Sequence, residues 1–238
     1  MSTESTPDWY LDETAHAGPE HLDPDFVSGY DRKQGHPDAT ADLAALRAHG
    51  LGESSTVVDL AAGTGQFTLP AAREFGEVVA VDVSPAMLDA LRSRLTAPDA
   101  ERVRCVSAGF LSYAHQGPPA DAVHTRNALH QLPDLWKVVA LDRIAGMLRP
   151  GGVLRLHDLV FDCAPSDVDT VVNRWLDGAA HDRTRGYTRA DYAAHLRTEF
   201  STFRWLLEPM LDAAGFEITH TAFHASAFGS YTCVRRGD

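Results

Sequence analysis

The stretch V57-V-D-L-A-A-G-T-G-Q-F67 decides the fold. Two valines and a leucine run into two alanines and then into glycines two apart. A short, largely apolar run of this kind describes a strand buried on both faces. The glycines after it describe a turn whose backbone a ligand can approach, because no Cβ intervenes. Such a corner belongs to an open α/β sheet, where ligands bind beyond the carboxyl ends of the strands and backbone N–H groups at the turn face them.

The chain on either side repeats the same unit. Upstream, A41-D-L-A-A-L-R-A-H-G50 places Leu43 and Leu46 three apart, with Gly50 as a stop signal, and predicts a helix. Downstream the pattern predicts a helix over 66–75, a strand over 77–83, a helix over 84–95 and strands over 102–107 and 120–126. Ser84 and Pro85 supply an N-cap and a first helical residue, and Met87, Leu88, Leu91 and Leu95 share one helix face. Leu141, Ile144, Ala145 and Leu148 mark another helix, which R149-P-G-G152 stops before a strand over 152–160. A helix over 203–214 and strands over 216–223 and 231–236 close the chain, the last two as an antiparallel hairpin. Alternating strands and helices give an α/β fold: a Rossmann-like doubly wound sheet of seven strands, mostly parallel, with an antiparallel C-terminal hairpin strand. One domain over 1–238 is expected, with an N-terminal cap at 1–40, a core at 41–162, a helical lid insertion at 163–200 and the closing helix and hairpin at 201–238.

The bulk numbers narrow the partners. With 238 residues, 44% of them apolar, the chain can bury a large core without disulfide or metal staples. A net charge of −12 disfavours nucleic acid and anionic membranes, and the only dense basic run is Arg235-Arg236. Cys105, Cys163 and Cys233 are far apart and odd in number, which suits a reducing, cytoplasmic setting. No stretch has the apolar length of a membrane span or a signal core.

Which nucleotide the turn holds depends on its neighbours. A dinucleotide fingerprint reads GxGxxG, and Thr68 stands at the third glycine position. Asp59, four residues before Gly63, would repel a pyrophosphate and suit a cation. Asp82 ends the second strand, 17 residues after Gly65, where a carboxylate can accept hydrogen bonds from ribose hydroxyls. A cationic, phosphate-free nucleoside such as S-adenosylmethionine fits this combination.

At these residues the chain resembles the class I S-adenosylmethionine-dependent methyltransferases of the small-molecule type. D59-L-A-A-G-T-G65 is similar to their first motif, with Ala61 where glycine is commoner. V78-V-A-V-D-V-S-P-A-M-L-D-A-L-R92 is similar to their second strand and helix, and R149-P-G-G152 to the turn before their fifth strand. The resemblance implies cofactor contacts from Tyr30, Asp59, Ala61, Gly63, Gly65, Asp82, Val83, Met87, Gly109, Phe110 and Asn127. It also implies S-adenosyl-L-homocysteine as product and a small-molecule acceptor. One motif departs: C105-V-S-A-G-F-L-S-Y113 lacks the acid that many relatives use to read adenine, leaving Phe110 to flank the base and Ser107 or a carbonyl to read it.

His130 and His157 lie at the functional edge and are candidate general bases, whereas His124, inside a strand, reads as a core residue. His157 and Asp158 should point to opposite faces. Glu208 and Trp175 are candidates for an acceptor pocket. No metal-ligand motif stands out, and His21, Asp23 and Asp25 read as a solvated face. The run Gly117-Pro118-Pro119 precedes the fourth strand, so it is not the motif of amino methyltransferases acting on nucleic acid. The competing readings are a nicotinamide-dependent oxidoreductase and a non-catalytic S-adenosylmethionine-binding module.

Overall fold

The computed structural model describes residues 7–34 and 37–237, so Met1–Thr6 and Gly35-His36 of the expected cap lie outside it. Among the described residues eight strands form the sheet: β1 (Thr56–Leu60), β2 (Glu77–Asp82), β3 (Val103–Ser107), β4 (Ala120–Arg126), β5 (Leu148–Phe161), β6 (Thr202–Phe203), β7 (Phe216–His224) and β8 (Phe228–Arg235). Their order is β3-β2-β1-β4-β5-β8-β7, with the two-residue β6 pairing beside β5. The pairs from β3 across to β5 are parallel, and β8 joins β5 and β7 antiparallel. The strand order reverses between β1 and β4, and that switch opens the crevice.

The helices are α1 (Pro24–Ser28), α2 (Tyr30–Lys33), α3 (Thr40–Ala48), α4 (Thr68–Ala71), α5 (Pro85–Arg94), α6 (Ala97–Ala100), α7 (Asp134–Met147), α8 (Val168–Asp177), α9 (Arg189–Thr198) and α10 (Arg204–Ala213). Alternation along β1 sorts the core. Val58 and Leu60 pack with Leu141 and Ile144 of α7 and Leu207 and Leu211 of α10. Val57 packs on the other face with Leu43 and Leu46 of α3 and Ala71 of α4. Leu88 and Leu91 of α5 pack on Ala80 of β2.

Besides the short β6, which makes eight strands where seven are expected, two elements differ from expectation. R149-P-G-G152 is not a turn ahead of its strand. Leu148 pairs with Ala120 and Val153 with Ala122, so the segment bulges out inside β5 and pairing resumes in register beyond it. The helix expected over 66–75 is regular only at Thr68–Ala71, because the left-handed turn before it delays its start.

In the expected lid region, α8 and α9 pack through Trp175 and Tyr192, whose ring centroids are 4.6 Å apart. The region is tied to the core where Phe200 N–H donates to His130 O at 2.7 Å. Among the described residues, no helix is long and apolar enough to cross a membrane.

Candidate functional site

After β1 the backbone turns left-handed three times, at Ala61 (φ 61°), Gly63 (φ 54°) and Gly65 (φ 90°). An alanine in that region costs about 1–2 kcal/mol, so Ala61 is held there by its surroundings. Gly63 N–H donates to Asp82 Oδ2 at 2.8 Å, and Ser84 N–H donates to Asp82 Oδ1 at 2.8 Å. Each carboxylate oxygen thus has one backbone donor and keeps a lone pair for the cleft. Burial pushes the Asp82 carboxyl above its usual range, against the pull of those two donors. Ser84 caps α5 by accepting from Met87 N–H at 3.1 Å, which fixes the end of β2 to the start of the helix.

Asp82 borders a cleft that is open to solvent on one side. Tyr30, Ala61, Gly63, Val83, Met87, Gly109, Phe110 and Asn127 border the same cleft. Asn127 is left-handed (φ 51°), anchored by its N–H to His157 O at 2.8 Å, and its Oδ1 is buried with no hydrogen-bond partner. A buried acceptor left open on a cleft wall suits a ligand donor such as an ammonium. Burial raises the Tyr30 phenol, with Asp82 and Asp31 adding to the effect, so it stays protonated as a donor.

Two expected contacts lie elsewhere. Gly65 does not border the cleft. A Cβ there would stand 2.2 Å from Leu91 Cδ1, so this glycine lets the turn rest on α5. Asp59 has both oxygens engaged: Thr68 Oγ1 donates to Oδ2 at 2.5 Å, and His124 Nδ1 lies 2.8 Å from Oδ1. The physical reason is strand parity. Asp59 and His124 point with Val57 and Ala122 toward the α3 side, into a buried polar row. There His124 Nε2 lies 3.6 Å from Asp42, and Arg155 Nε donates to Asp42 at 2.7 Å. Asp59 borders only a smaller neighbouring hollow, as an organiser of the turn rather than a free carboxylate. Thr68, which replaces the third glycine, is the residue that holds it.

The N-terminal segment contributes what the loop after β3 lacks. Glu13 borders the cleft, and its carboxylate accepts from Leu111 N–H at 3.0 Å, Ser112 N–H at 2.9 Å and Ser112 Oγ at 2.5 Å. A Cβ on Gly109 would meet Glu13 Oε2 at 2.3 Å, so the glycine makes room for this acid. Ser107 is exposed and does not border the cleft. Farther on, Ser84 Oγ donates to His21 O at 2.7 Å, and Asp31 binds Thr64, Arg94 and, at 2.9 Å, Gln66. His21 also borders the cleft, so of the expected solvated face only Asp23 and Asp25 are exposed.

The expected bases do not border the cleft either. His157 Nδ1 lies 2.6 Å from Ser230 Oγ, its ring stacks on Phe228, and burial with Arg126 pushes its imidazole down to about 4. Asp158 points to the opposite face, as adjacent strand residues must, and holds His130 Nδ1. His130 Nε2 lies 2.9 Å from Glu199 Oε2. Burial pulls the His130 imidazole down, but Asp158 and Glu199 outweigh it and raise it to about 9, so a free basic nitrogen is not on offer. Glu208 pairs with Arg204 Nε at 2.8 Å and Trp175 packs on α9 and Phe228; neither borders the cleft.

Residues 57–152 match the methyltransferase domain family. Acetylserotonin O-methyltransferase of Mus musculus is 31% identical over 166 residues, covering 67% of this chain and 42% of that protein. Residues 57–152 are a methyltransferase domain of the class I S-adenosylmethionine-dependent kind. The chain spans less than half the length of that mouse relative. Solved methyltransferase-fold structures superimpose over most of the chain. Magnesium protoporphyrin IX methyltransferase of Synechocystis, with S-adenosylhomocysteine bound, is 14% identical with a TM-score of 0.60, covering 97% of this chain and 90% of that one. The [4+2]-cyclase SpnF is 18% identical with a TM-score of 0.60, covering 82% and 79%. These two likenesses show the fold.

Within this methyltransferase framework, Glu13, His195 and Glu199 escaped the sequence reading. Glu13 carries no local signal, being 98 residues from Leu111. His195 and Glu199 stand four apart at the end of a helix, a spacing that places both on one face and could have been read.

Proposed function

We propose that the protein binds S-adenosylmethionine in the cleft and transfers its methyl group to a small-molecule acceptor. The observation that carries this is Asp82 at the end of β2, buried, with both oxygens braced by backbone donors and still facing the cleft. A ribose diol matches that pair of acceptors. The unpartnered Asn127 Oδ1 suits the ammonium of the methionine portion, and Met87 and Phe110 give the adenine apolar walls. Glu13, held against the loop after β3, supplies the acid for the adenine amino group that this loop itself does not carry.

Bound S-adenosylmethionine supplies a methyl group activated by its sulfonium. The chain's own residues bind, orient and exclude water, which accelerates an in-line displacement without covalent help from the protein. The cap residues Tyr30 and Glu13 border the cleft on one side, and we assign 163–200 as the lid over the acceptor side of a single domain. The O-methyltransferase activity named for the mouse relative supports a small acceptor. The net charge of −12 weighs against nucleic acid, and three scattered cysteines suit a cytoplasmic location.

The test is binding of S-adenosylhomocysteine by calorimetry together with label transfer from methyl-labelled S-adenosylmethionine across a panel of phenols, carboxylates, amines and thiols. Turnover of one class supports the reading, and tighter binding of a nicotinamide dinucleotide would overturn it. A second reading follows from the cyclase that shares this fold. Tight S-adenosylhomocysteine binding with no transfer to any class would favour a nucleoside-holding protein that does other chemistry, or none.

A further inference from the structure

Three side chains outside the cofactor cleft converge where the lid meets the core. His130 follows β4, while His195 and Glu199 come from the end of α9. Their ligand atoms all lie within 4.8 Å of one another. Glu199 Oε2 stands 2.9 Å from His130 Nε2 and 2.5 Å from His195 Nδ1, so one carboxylate oxygen is shared between two imidazoles. His195 Nε2 is buried without a partner. The three donors thus converge on one point at ion-pair distances, and a cation entering between them must part them, since donors about 2.0–2.2 Å from zinc stand roughly 3.3 Å from one another.

The support behind His130 is of the same kind. Asp158 holds His130 Nδ1, and is itself fixed by His130 N–H at 3.1 Å and Leu159 N–H at 2.7 Å. A carboxylate on one ring nitrogen fixes the ring and aims the other nitrogen at Glu199, as metal-binding histidines are oriented, and a cation binding there displaces the ring's second proton to solvent. His130 and Asp158 are 4% and 2% exposed, so this half of the cluster is rigid. His195 and Glu199 are partly exposed, so their side chains have room to part toward the spacing that zinc, with bonds of roughly 2.0–2.2 Å, requires.

We propose that His130, His195 and Glu199 form a site for a divalent cation of the zinc class. Two imidazoles and one carboxylate are a borderline-soft set, which suits zinc and disfavours magnesium or calcium, whose shells are built from oxygen. Three protein ligands leave a fourth position open, the arrangement of catalytic rather than structural zinc. The cluster neighbours the cleft, since Ala128 and Gln131 on either side of His130 border it. Resting on the methyl-transfer reading, the open position takes the hydroxyl or thiol of the acceptor. Coordination lowers its pKa, its proton leaves to solvent, and an oxyanion or thiolate remains beside the methyl donor. The chain then needs no histidine base. The ion also bridges lid to core, so binding it closes 163–200 over the acceptor.

The test uses the full chain, stripped with a chelator, dialysed and titrated with Co2+ while its visible ligand-field bands are followed, then with Zn2+ in competition. No nucleoside is present, so failure here is separable from failure of S-adenosylhomocysteine binding measured on the same sample. One tightly bound cation per chain with tetrahedral Co2+ bands is expected. His195→Ala and Glu199→Gln should each weaken binding by at least roughly tenfold. His220→Ala, on the exposed face of β7, should leave it unchanged. Glu199→Gln conserves shape, so it decides the matter if circular dichroism shows that His195→Ala has lost the fold. Absence of saturable binding, or wild-type affinity in folded Glu199→Gln, overturns the site.

Discussion

Replacing Asp82 by asparagine keeps the shape of the side chain and removes only its charge and one acceptor. Both oxygens of Asp82 accept backbone N–H groups at 2.8 Å, from Gly63 and from Ser84. Asparagine can satisfy one of them and must turn its NH2 toward the other. Two costs follow. The turn loses a charge-assisted hydrogen bond and leaves a donor facing a donor, a loss of about 1–3 kcal/mol in folding stability. A nucleoside loses one of two carboxylate acceptors for its ribose and the charge behind the other, about 1.5–3 kcal/mol, or roughly 10- to 150-fold in affinity. Calorimetric titration of Asp82→Asn with S-adenosylhomocysteine, alongside a urea melt of the same sample, separates the two costs. A folded variant with wild-type affinity would refute the ribose assignment and, with it, the orientation proposed for the cofactor.

Gly65→Ala should destabilise by about 2–5 kcal/mol in urea melts, combining left-handed backbone strain with a Cβ only 2.2 Å from Leu91. Gly50→Ala, at φ +84° with open space around it, should show the backbone part alone, and equal losses would contradict the packing explanation. Glu13→Ala should lower S-adenosylhomocysteine affinity by roughly tenfold or more while leaving the sheet's unfolding transition nearly unmoved, as read by calorimetry and circular dichroism. For pH, burial lowers the His124 imidazole, but Asp42 and Asp59 outweigh it and raise it above 6.5. The stability it contributes is complete below that value and lost as pH rises through the folded one. Asp42 is lowered from 3.8 by His124 and Arg155 against its burial, so its share is present above that value and lost as pH falls. Urea melts should weaken on the alkaline side in the native chain, and a His124→Gln variant that keeps the same slope would count against this account.

The strand-and-helix order was legible because parallel strands buried on both faces are apolar throughout, as in V78-V-A-V81. The cleft was legible for the same reason: Asp82, Val83 and Met87 follow directly from where β2 ends and α5 begins. Asp59 shows where such reading stops. Its charge and spacing were visible, but its partner His124 is 65 residues away, so a structural ion pair looked like a ligand contact. The bulge at R149-P-G-G152 was hidden because proline and glycine signal a turn and a bulge alike. Histidines at strand ends were visible as candidates, but which nitrogen meets which carboxylate is set by packing between β4, β5 and α9.

The fastening of Glu13, His21 and Asp31 across the cleft bears on the clock of the reaction. In the binding mode proposed above, a nucleoside between Asp82 and the loop after β3 would lie against this segment and would depart when the segment's bonds to Ser112, Ser84 and Thr64 let go. Its residence time would then be the opening time of a short, mostly polar strap rather than the sum of its own contacts. Turnover would be governed by product escape, and a variant that loosens the strap could bind more weakly yet cycle faster.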